Sequence, residues 1–344
     1  FSNSLPQKGD VLHQFYLKVL RSMVSPIEAL KIAEETGVSC RFLKTSKVGV
    51  VGALAAVGAV FEDYTFELLS YRVRENYGKP RRIGRDSVML MDKLTWKHTF
   101  NNIDPETKRI LITPHGRDPV LFGIRGETPE AVYNAFRLVR AEEEIESWCI
   151  FKTNQGTDAH FPDGPVPISQ VKKYDSTCVE GSVVDKKIIR GGHVIVTIEN
   201  GGTISCAFYY PTGGLKKAAS MLEQGDYVRV YGGVKEHLGK LVINAEKMEV
   251  LKLCEKTRRT SPPCPKCGRK CKSLGLRQGF ACEKCGETVE EPQTIMIERG
   301  LIINHPYLPP ERSHRHLTKP LKRYGLEKNR LAEDHGFINP WHYP

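Results

Sequence analysis

The 344 residues hold no run of eighteen apolar side chains, so no segment reads as a membrane-spanning helix. No charged–apolar–small leader opens the sequence, and nothing in it signals secretion. Catalytic signatures are equally scarce. The chain has no Gly-Lys-Ser/Thr phosphate loop, no G-x-G-x-x-G fingerprint, no H-E-x-x-H and no Ser–His–Asp order. These absences exclude the P-loop, dinucleotide, zinc-protease and serine-hydrolase readings. Acidic charge is in deficit: 51 Lys and Arg face 40 Asp and Glu, a formal net charge of +11. An excess of that size suits a polyanion such as nucleic acid, provided other features agree.

Cysteine is the residue whose pattern says most. Cys264-Pro-Lys-Cys267-Gly and Cys282-Glu-Lys-Cys285-Gly are separated by a spacer of fourteen residues. Each pair places two thiolates on one turn, and two such turns close the tetrahedral S₄ site that Zn²⁺ favours. Gly268 and Gly286 suit tight turns in which backbone N–H groups face sulfur. Disulfides or unrelated buried cysteines are the alternative, and the paired spacing favours the metal. Cys40, Cys149, Cys178, Cys206, Cys254 and Cys271 are scattered, as expected of a reducing cytoplasm. Cys271 lies in the zinc loop at poorer spacing and is expected to be free. A closed S₄ site leaves no open position for water, so any chemistry must lie elsewhere.

Ser25-Pro26-Ile27-Glu28 reads as a capping box, opening a helix that runs to about Glu35 and stops at Gly37. Residues 11–23 read as an earlier helix, 61–71 in part as a strand and 109–113 as a short strand. Thr128-Pro129-Glu130 opens a further helix with the apolar face Val132, Tyr133, Phe136 and Val139. Helices and short strands interleaved over 25–160 give an α+β sandwich. Residues 161–177 read as a linker rich in proline and polar groups. From 178 to 255 the pattern is three strands, a helix and two strands, with Asn200-Gly201-Gly202 as a hairpin turn. That is the order of an OB-fold barrel, with another small barrel as its rival. Tyr209 and Tyr231 are candidates there for stacking on unpaired bases, although strand alternation must turn some rings inward. The ribbon occupies 260–290. A basic tail follows over 291–344, with seven Lys and Arg against two Glu between 311 and 330. Its Arg315, Lys319, Lys322 and Arg323 read as a solvated tail or as an arm that orders on RNA.

Three stretches before residue 161 have the look of a ligand site. Gly49, Gly52 and Gly58 punctuate a run of small residues, either as the wall of a cleft or as a helix packed closely on its neighbour. His115, Arg117, Asp118, Arg125 and Glu127 crowd a segment rich in Gly and Pro, as in a charged-ligand loop or an ion-paired surface loop. Asp118 or Glu127 could hold a cation. Lys152, Asn154, Gln155 and Asp158 offer donors and acceptors, and amides read base edges well.

Taken together, G-V-V-G-A-L-A-A-V-G-A, T-P-H-G-R-D-P-V-L-F-G-I-R-G-E-T-P-E and F-K-T-N-Q-G-T-D-A-H resemble the archaeal tRNA-isoleucine 2-agmatinylcytidine synthetases. The resemblance spans about residues 20–330, and the barrel, ribbon and tail follow in that family's order. It implies an ATP-dependent ligase that joins agmatine to a tRNA wobble cytidine, with Mg²⁺ serving ATP and Zn²⁺ in the ribbon. It also implies that 25–160 is a ferredoxin-like domain. Gly49, Gly52, Gly58 and the 115–127 loop would line the agmatine side, with Asp118, Glu127 or Asp158 facing the guanidinium. Lys152, Asn154, Gln155, the barrel tyrosines and the tail cations would grip tRNA. The family's acidic G-I-D-D-T-D motif is not found, and the chain starts at Phe1. The expectation is therefore a chain lacking much of a kinase-like domain, with 1–24 as its remnant or linker. A non-catalytic RNA- or single-strand-binding protein is the alternative.

Overall fold

Asp10 sets the first helix by accepting the N–H of His13 at 2.8 Å, and α1 (Val11–Arg21) follows. The computed structural model describes residues 6–42, 49–117, 119–328 and 338–343. Ser25 Oγ accepts the N–H of Glu28, and Pro26 opens α2 (Pro26–Glu35), as the capping box requires. The small-residue run forms α3 (Val50–Val57). These three helices bury Leu12, Phe15, Tyr16, Ala29, Leu54 and Ala55 in a cluster of their own. The expected sandwich starting at residue 25 is thus corrected: a helical layer precedes it, and α1 belongs to that layer rather than to a linker. Gly58 closes α3 against α1, where a Cβ would stand 2.1 Å from the carbonyl oxygen of Leu12. Close helix packing, not a cleft wall, explains that glycine.

The sheet unit is built from β1 (Thr65–Arg72), α4 (Arg85–Thr95), β2 (Thr99–Phe100), β3 (Val120–Gly126), α5 (Pro129–Leu138) and β4 (Ile145–Thr153). Its strands lie antiparallel in the order β4-β1-β3-β2, which is the ferredoxin-like arrangement. Phe66, Leu68, Phe122, Ile124 and Ile150 turn to α4 and α5 and form the core. Glu67, Leu69, Gly123 and Arg125 alternate to the other face. The short strand expected at 109–113 is only a single bridge, Ile103 to Ile110. The strand lies instead at 120–126, where a loop was expected, because glycines and an arginine obscure its alternation.

The barrel matches its sequence reading closely: β5 (Ser176–Ile189), β6 (His193–Glu199), β7 (Thr203–Phe208), α6 (Gly214–Ser220), β8 (Tyr227–His237) and β9 (Lys240–Lys252). Strand order β9-β7-β6-β5-β8 closes through β8–β9, with β7 parallel to β9. Residues 161–177 are no free linker, since Phe161 and Val171 are buried. The ribbon comprises β10 (Thr257–Thr260), β11 (Lys272–Ser273), β12 (Phe280–Ala281), β13 (Thr288–Val289) and β14 (Gln293–Met296). Pairing of β10 with β14 sets Thr257 opposite Met296, so the ribbon enters and leaves at one place.

The tail is the largest correction. After β15 (Pro306–Tyr307) joins β9, residues 311–328 cross back over the sheet unit, and β16 (His342–Tyr343) pairs with β4. Arg323 is fully buried, with Nε 2.6 Å from Glu127 and Nη2 3.1 Å from Asp63. The tail's counter-charges come from far away in sequence, so a segment that looks unable to fold by itself folds as a strap. No helix among the described residues is long and apolar enough to cross a membrane.

Candidate functional site

The face of the sheet turned away from α4 and α5 carries a cleft of about 520 Å³. Glu67 on β1 stands in register with Arg125 on β3, whose Nε donates to it at 2.9 Å. Gln155 Nε2 donates to the other carboxylate oxygen at 2.6 Å. Gly123 keeps the floor open, because a Cβ there would lie 2.7 Å from Leu69 Cδ2 and 3.3 Å from Glu67 Oε1. The strap supplies the facing wall with Glu311, Arg312, His314 and His316. Arg125 Nη2 lies 2.9 Å from His316 Nδ1, which ties strap to sheet. Loop 111–115 closes the third side. Arg81 pins it by donating to the carbonyls of Val120 at 2.7 Å and of Pro114 and Gly116 at 2.9 Å each. Arg109 donates to His115 Nε2 at 2.7 Å.

Three acceptors in this cleft are buried and unpartnered among the described residues: Asn101 Oδ1, Gln155 Oε1 and His314 Nδ1. The bond from Gln155 Nε2 to Glu67 fixes which amide atom faces inward. His314 Nε2 lies 2.9 Å from the carbonyl of Pro309, so Nε2 carries the ring proton and Nδ1 is left to accept. Burial holds His314 below the usual imidazole range. Burial also raises the Glu311 carboxyl, only partly offset by Lys322. In contrast Asp104 is lowered: burial alone would raise it, but hydrogen bonds from Thr107 and Arg312 prevail. A cleft with several free acceptors and a carboxylate that forms no ion pair among the described residues suits a ligand rich in N–H donors.

The expected ligand residues divide. His115, Arg125 and Gln155 line this cleft, while Arg117 is exposed on the loop beside it. Asp118 lies outside the described residues. Glu127 and Asp158, expected to face a guanidinium, are already paired, Glu127 with Arg323 and Lys328, Asp158 with Lys247 at 2.8 Å. Gly49 caps α3 beside a separate hollow of about 330 Å³, and Gly52 is exposed on that helix, so neither joins the cleft. Among the expected RNA contacts, Tyr209 is exposed, Arg315 is exposed with Nη1 2.9 Å from Glu246, and Lys152 lies 4.0 Å from the Tyr64 ring. Asn154 donates to Tyr16 Oη at 2.9 Å. Lys319 pairs with Glu327 at 3.0 Å, and Lys322 donates to the carbonyls of Trp96 and Thr99. Arg323 and Lys322 hold the strap down and do not face solvent. Glu67, Asn101, Glu311, His314 and His316 were missed. The lone acid in T-F-E-L-L-S-Y-R and the H-R-H of the tail were the available signals.

The metal centre is as expected. One sulfur from each of Cys264, Cys267, Cys282 and Cys285 lies within 4.8 Å of the others. Zinc–sulfur bonds of about 2.3 Å in a tetrahedron need sulfurs roughly 3.8 Å apart, so the quartet fits. Gly268 and Gly286 have φ of +69° and +67°, and their N–H groups close the turns on the carbonyls of Cys264 and Cys282 at 2.8 Å each. Cys271 is buried in the same cluster but outside the quartet. Lys266, Arg269, Lys270, Lys272 and Arg277 are exposed around it.

Family models match the same units. One described as the TiaS FLD domain matches residues 47–160, one as the TiaS C-terminal zinc ribbon domain 261–301, and one as an OB-fold nucleic acid binding domain 177–251. The 2-agmatinylcytidine synthetase TiaS of Pyrococcus horikoshii, which acts on a minor isoleucine tRNA, is 41% identical over 314 residues, covering 91% of this chain and 73% of the relative. A crystal structure of apo TiaS, the isoleucine-tRNA agmatidine synthetase, matches with a TM-score of 0.80 and 35% identity over 91% of this chain and 73% of that one. A complex of TiaS with its isoleucine tRNA, AMPCPP and agmatine matches with a TM-score of 0.74 and 34% identity, again over 91% and 73%.

Proposed function

This chain belongs to the tRNA-isoleucine 2-agmatinylcytidine synthetase family, and from that premise we propose that it serves the ATP-dependent joining of agmatine to carbon 2 of the wobble cytidine of a minor isoleucine tRNA. The observation that carries the reading is the match to a relative over 91% of this chain. The reaction makes a C–N bond. The 2-oxo group of cytosine is a poor leaving group, so ATP activates it by phosphorylation, and the primary amine of agmatine displaces phosphate. The product pairs with adenosine and lets the tRNA decode AUA. We place the reaction in the cytoplasm, where tRNA is used.

Within this reading the sheet-face cleft takes the guanidinium of agmatine. A guanidinium carries five N–H donors and no acceptor. It matches Asn101 Oδ1, Gln155 Oε1, His314 Nδ1 and the Glu311 carboxylate, and Glu311 replaces the paired Glu127 and Asp158 in that role. A plain RNA-binding protein would leave these acceptors without a use.

Agmatine should raise the melting temperature of the chain, since a ligand that binds only the folded state stabilises it. Glu311→Gln should weaken that binding about tenfold, consistent with one lost charge-assisted hydrogen bond. Because burial raises the Glu311 carboxyl, wild-type affinity should fall as pH drops through that raised value, and the Gln variant should lose this pH dependence. Equal agmatine shifts in both proteins would remove Glu311 from the site. No shift in either would favour the plain RNA-binding reading.

A further inference from the structure

A second cavity, of about 540 Å³, lies where α1, loop 157–163 and the barrel meet. His13, Leu17 and Arg21 line it at successive turns of α1, with Tyr16 beside them. Phe161 closes it from the loop, and Tyr231 and Lys247 from β8 and β9. Two aromatic pairs bound the space. Tyr16 and Phe61 have ring centroids 6.2 Å apart, and Phe161 and Tyr231 have theirs 5.3 Å apart.

The polar groups select among ligands. Each lining carboxylate already has a cation: Asp158 has Lys247 at 2.8 Å, Asp63 has Arg323 at 3.1 Å, Asp163 has Arg21 at 3.5 Å, and Glu62 has Lys8. What remains open is a pair of donors. His13 is 2% exposed, and its Nδ1 accepts the N–H of Gly9 at 3.0 Å, which leaves the ring proton on Nε2. That Nε2 and the buried Arg21 Nε have no partner among the described residues. A guanidinium or ammonium brings only donors and meets no free acceptor here. A phosphate brings acceptors, but the four lining carboxylates outnumber Lys8, Arg21 and Lys247. A neutral planar ring with carbonyl or ring-nitrogen acceptors meets both donors and packs on aromatic walls.

We propose that this cavity holds one unpaired nucleobase of the substrate tRNA, turned out of its stack with its acceptors toward His13 Nε2 and Arg21 Nε. The proposal rests on the tRNA reading above and adds to it a place where a single base is read.

Two substitutions test it. Leu17→Trp fills the cavity from α1, and Arg21→Met removes one donor at similar length. Binding is measured for transcripts of the minor isoleucine tRNA in which each unpaired nucleotide in turn is made abasic. With the wild-type chain, one abasic position should lose about tenfold in affinity, the scale of one stacked base. That loss should vanish in Leu17→Trp and shrink in Arg21→Met, because a blocked pocket no longer distinguishes a base from its absence. Identical abasic losses in all three proteins overturn the proposal. Abasic losses that persist while agmatine stabilisation disappears in Leu17→Trp overturn it too, and give the cavity to the amine. An intact transcript that fails to bind the wild-type chain overturns the tRNA reading itself, which is a different result from binding without coupling. Thermal melting identifies a misfolded Leu17→Trp, and Arg21→Met then carries the comparison.

Discussion

The barrel buries Val179, Val196, Ile198, Phe208, Val230 and Met248 in one apolar cluster, whereas the ribbon's cluster is Cys264, Cys271 and Cys282 with Phe280 and Val289 at its edge. Burial of apolar surface can hold the first. It cannot hold the second, because a unit of about forty residues with so little apolar core usually needs a metal or a disulfide. The ribbon is therefore a conditional structure that exists when four thiolates share an ion. The barrel exists by packing alone. The two meet at Asp226, which is fully buried and accepts from Arg299 at 2.5 and 2.8 Å just after the ribbon, and from the backbone of Glu223 and Cys254 at 2.8 Å each.

Removing zinc tests the difference most severely. Metal binding supplies about 10–16 kcal/mol to comparable small zinc units. A chelator, or Cys282→Ser, should unfold the ribbon while the barrel keeps its melting transition, as backbone NMR or hydrogen exchange would show. Loss of both together would mean that the ribbon is part of the barrel's core. A smaller effect is expected from Phe208→Ala at a fully buried barrel position. It should cost roughly 3–5 kcal/mol of barrel stability in denaturant without releasing zinc. Zinc release on that substitution would erase the distinction between the two regions.

The smallest effect concerns the junction. Burial alone would raise the Asp226 carboxyl, but hydrogen bonds from Arg299 and from the Glu223 and Cys254 backbone prevail and lower it. A carboxyl depressed in the folded state contributes stability above its unfolded value of about 3.9, and this is lost as pH falls through the lower folded value. The barrel of the wild-type chain should thus weaken steeply in acid below about pH 4, and Asp226→Asn should weaken it at neutral pH while flattening the acid slope. An unchanged slope would show that the junction contributes nothing to acid stability.

Much of the molecule is legible in its chain. The quartet spacing of Cys264, Cys267, Cys282 and Cys285 determines the metal centre, because chelation depends on a few atoms at fixed separation along the chain. Alternation and turn residues place all five barrel strands within a few residues, because β-rich runs bounded by Gly and Asn carry their geometry locally. The strand at 120–126 was obscured, since its floor position needs Gly123 and its charge needs Glu67 on another strand.

The sequence by itself determined the parts of this protein that depend on neighbours in the chain: the zinc knuckles, the barrel's order of elements, the capped helices and the family resemblance. The tertiary structure alone decided what depends on distant partners. Seven cations in the tail looked like a solvated arm, yet Asp63, Asp104, Glu127 and Glu246 meet that tail across the fold and turn it into a strap. With the strap in place, Glu311 and His314 complete a cleft with Gln155, while Glu127 and Asp158 are withdrawn from it into ion pairs. Charge is printed in a sequence, but whether a charge is free or neutralised is a matter of distance in space, and only folding sets that distance.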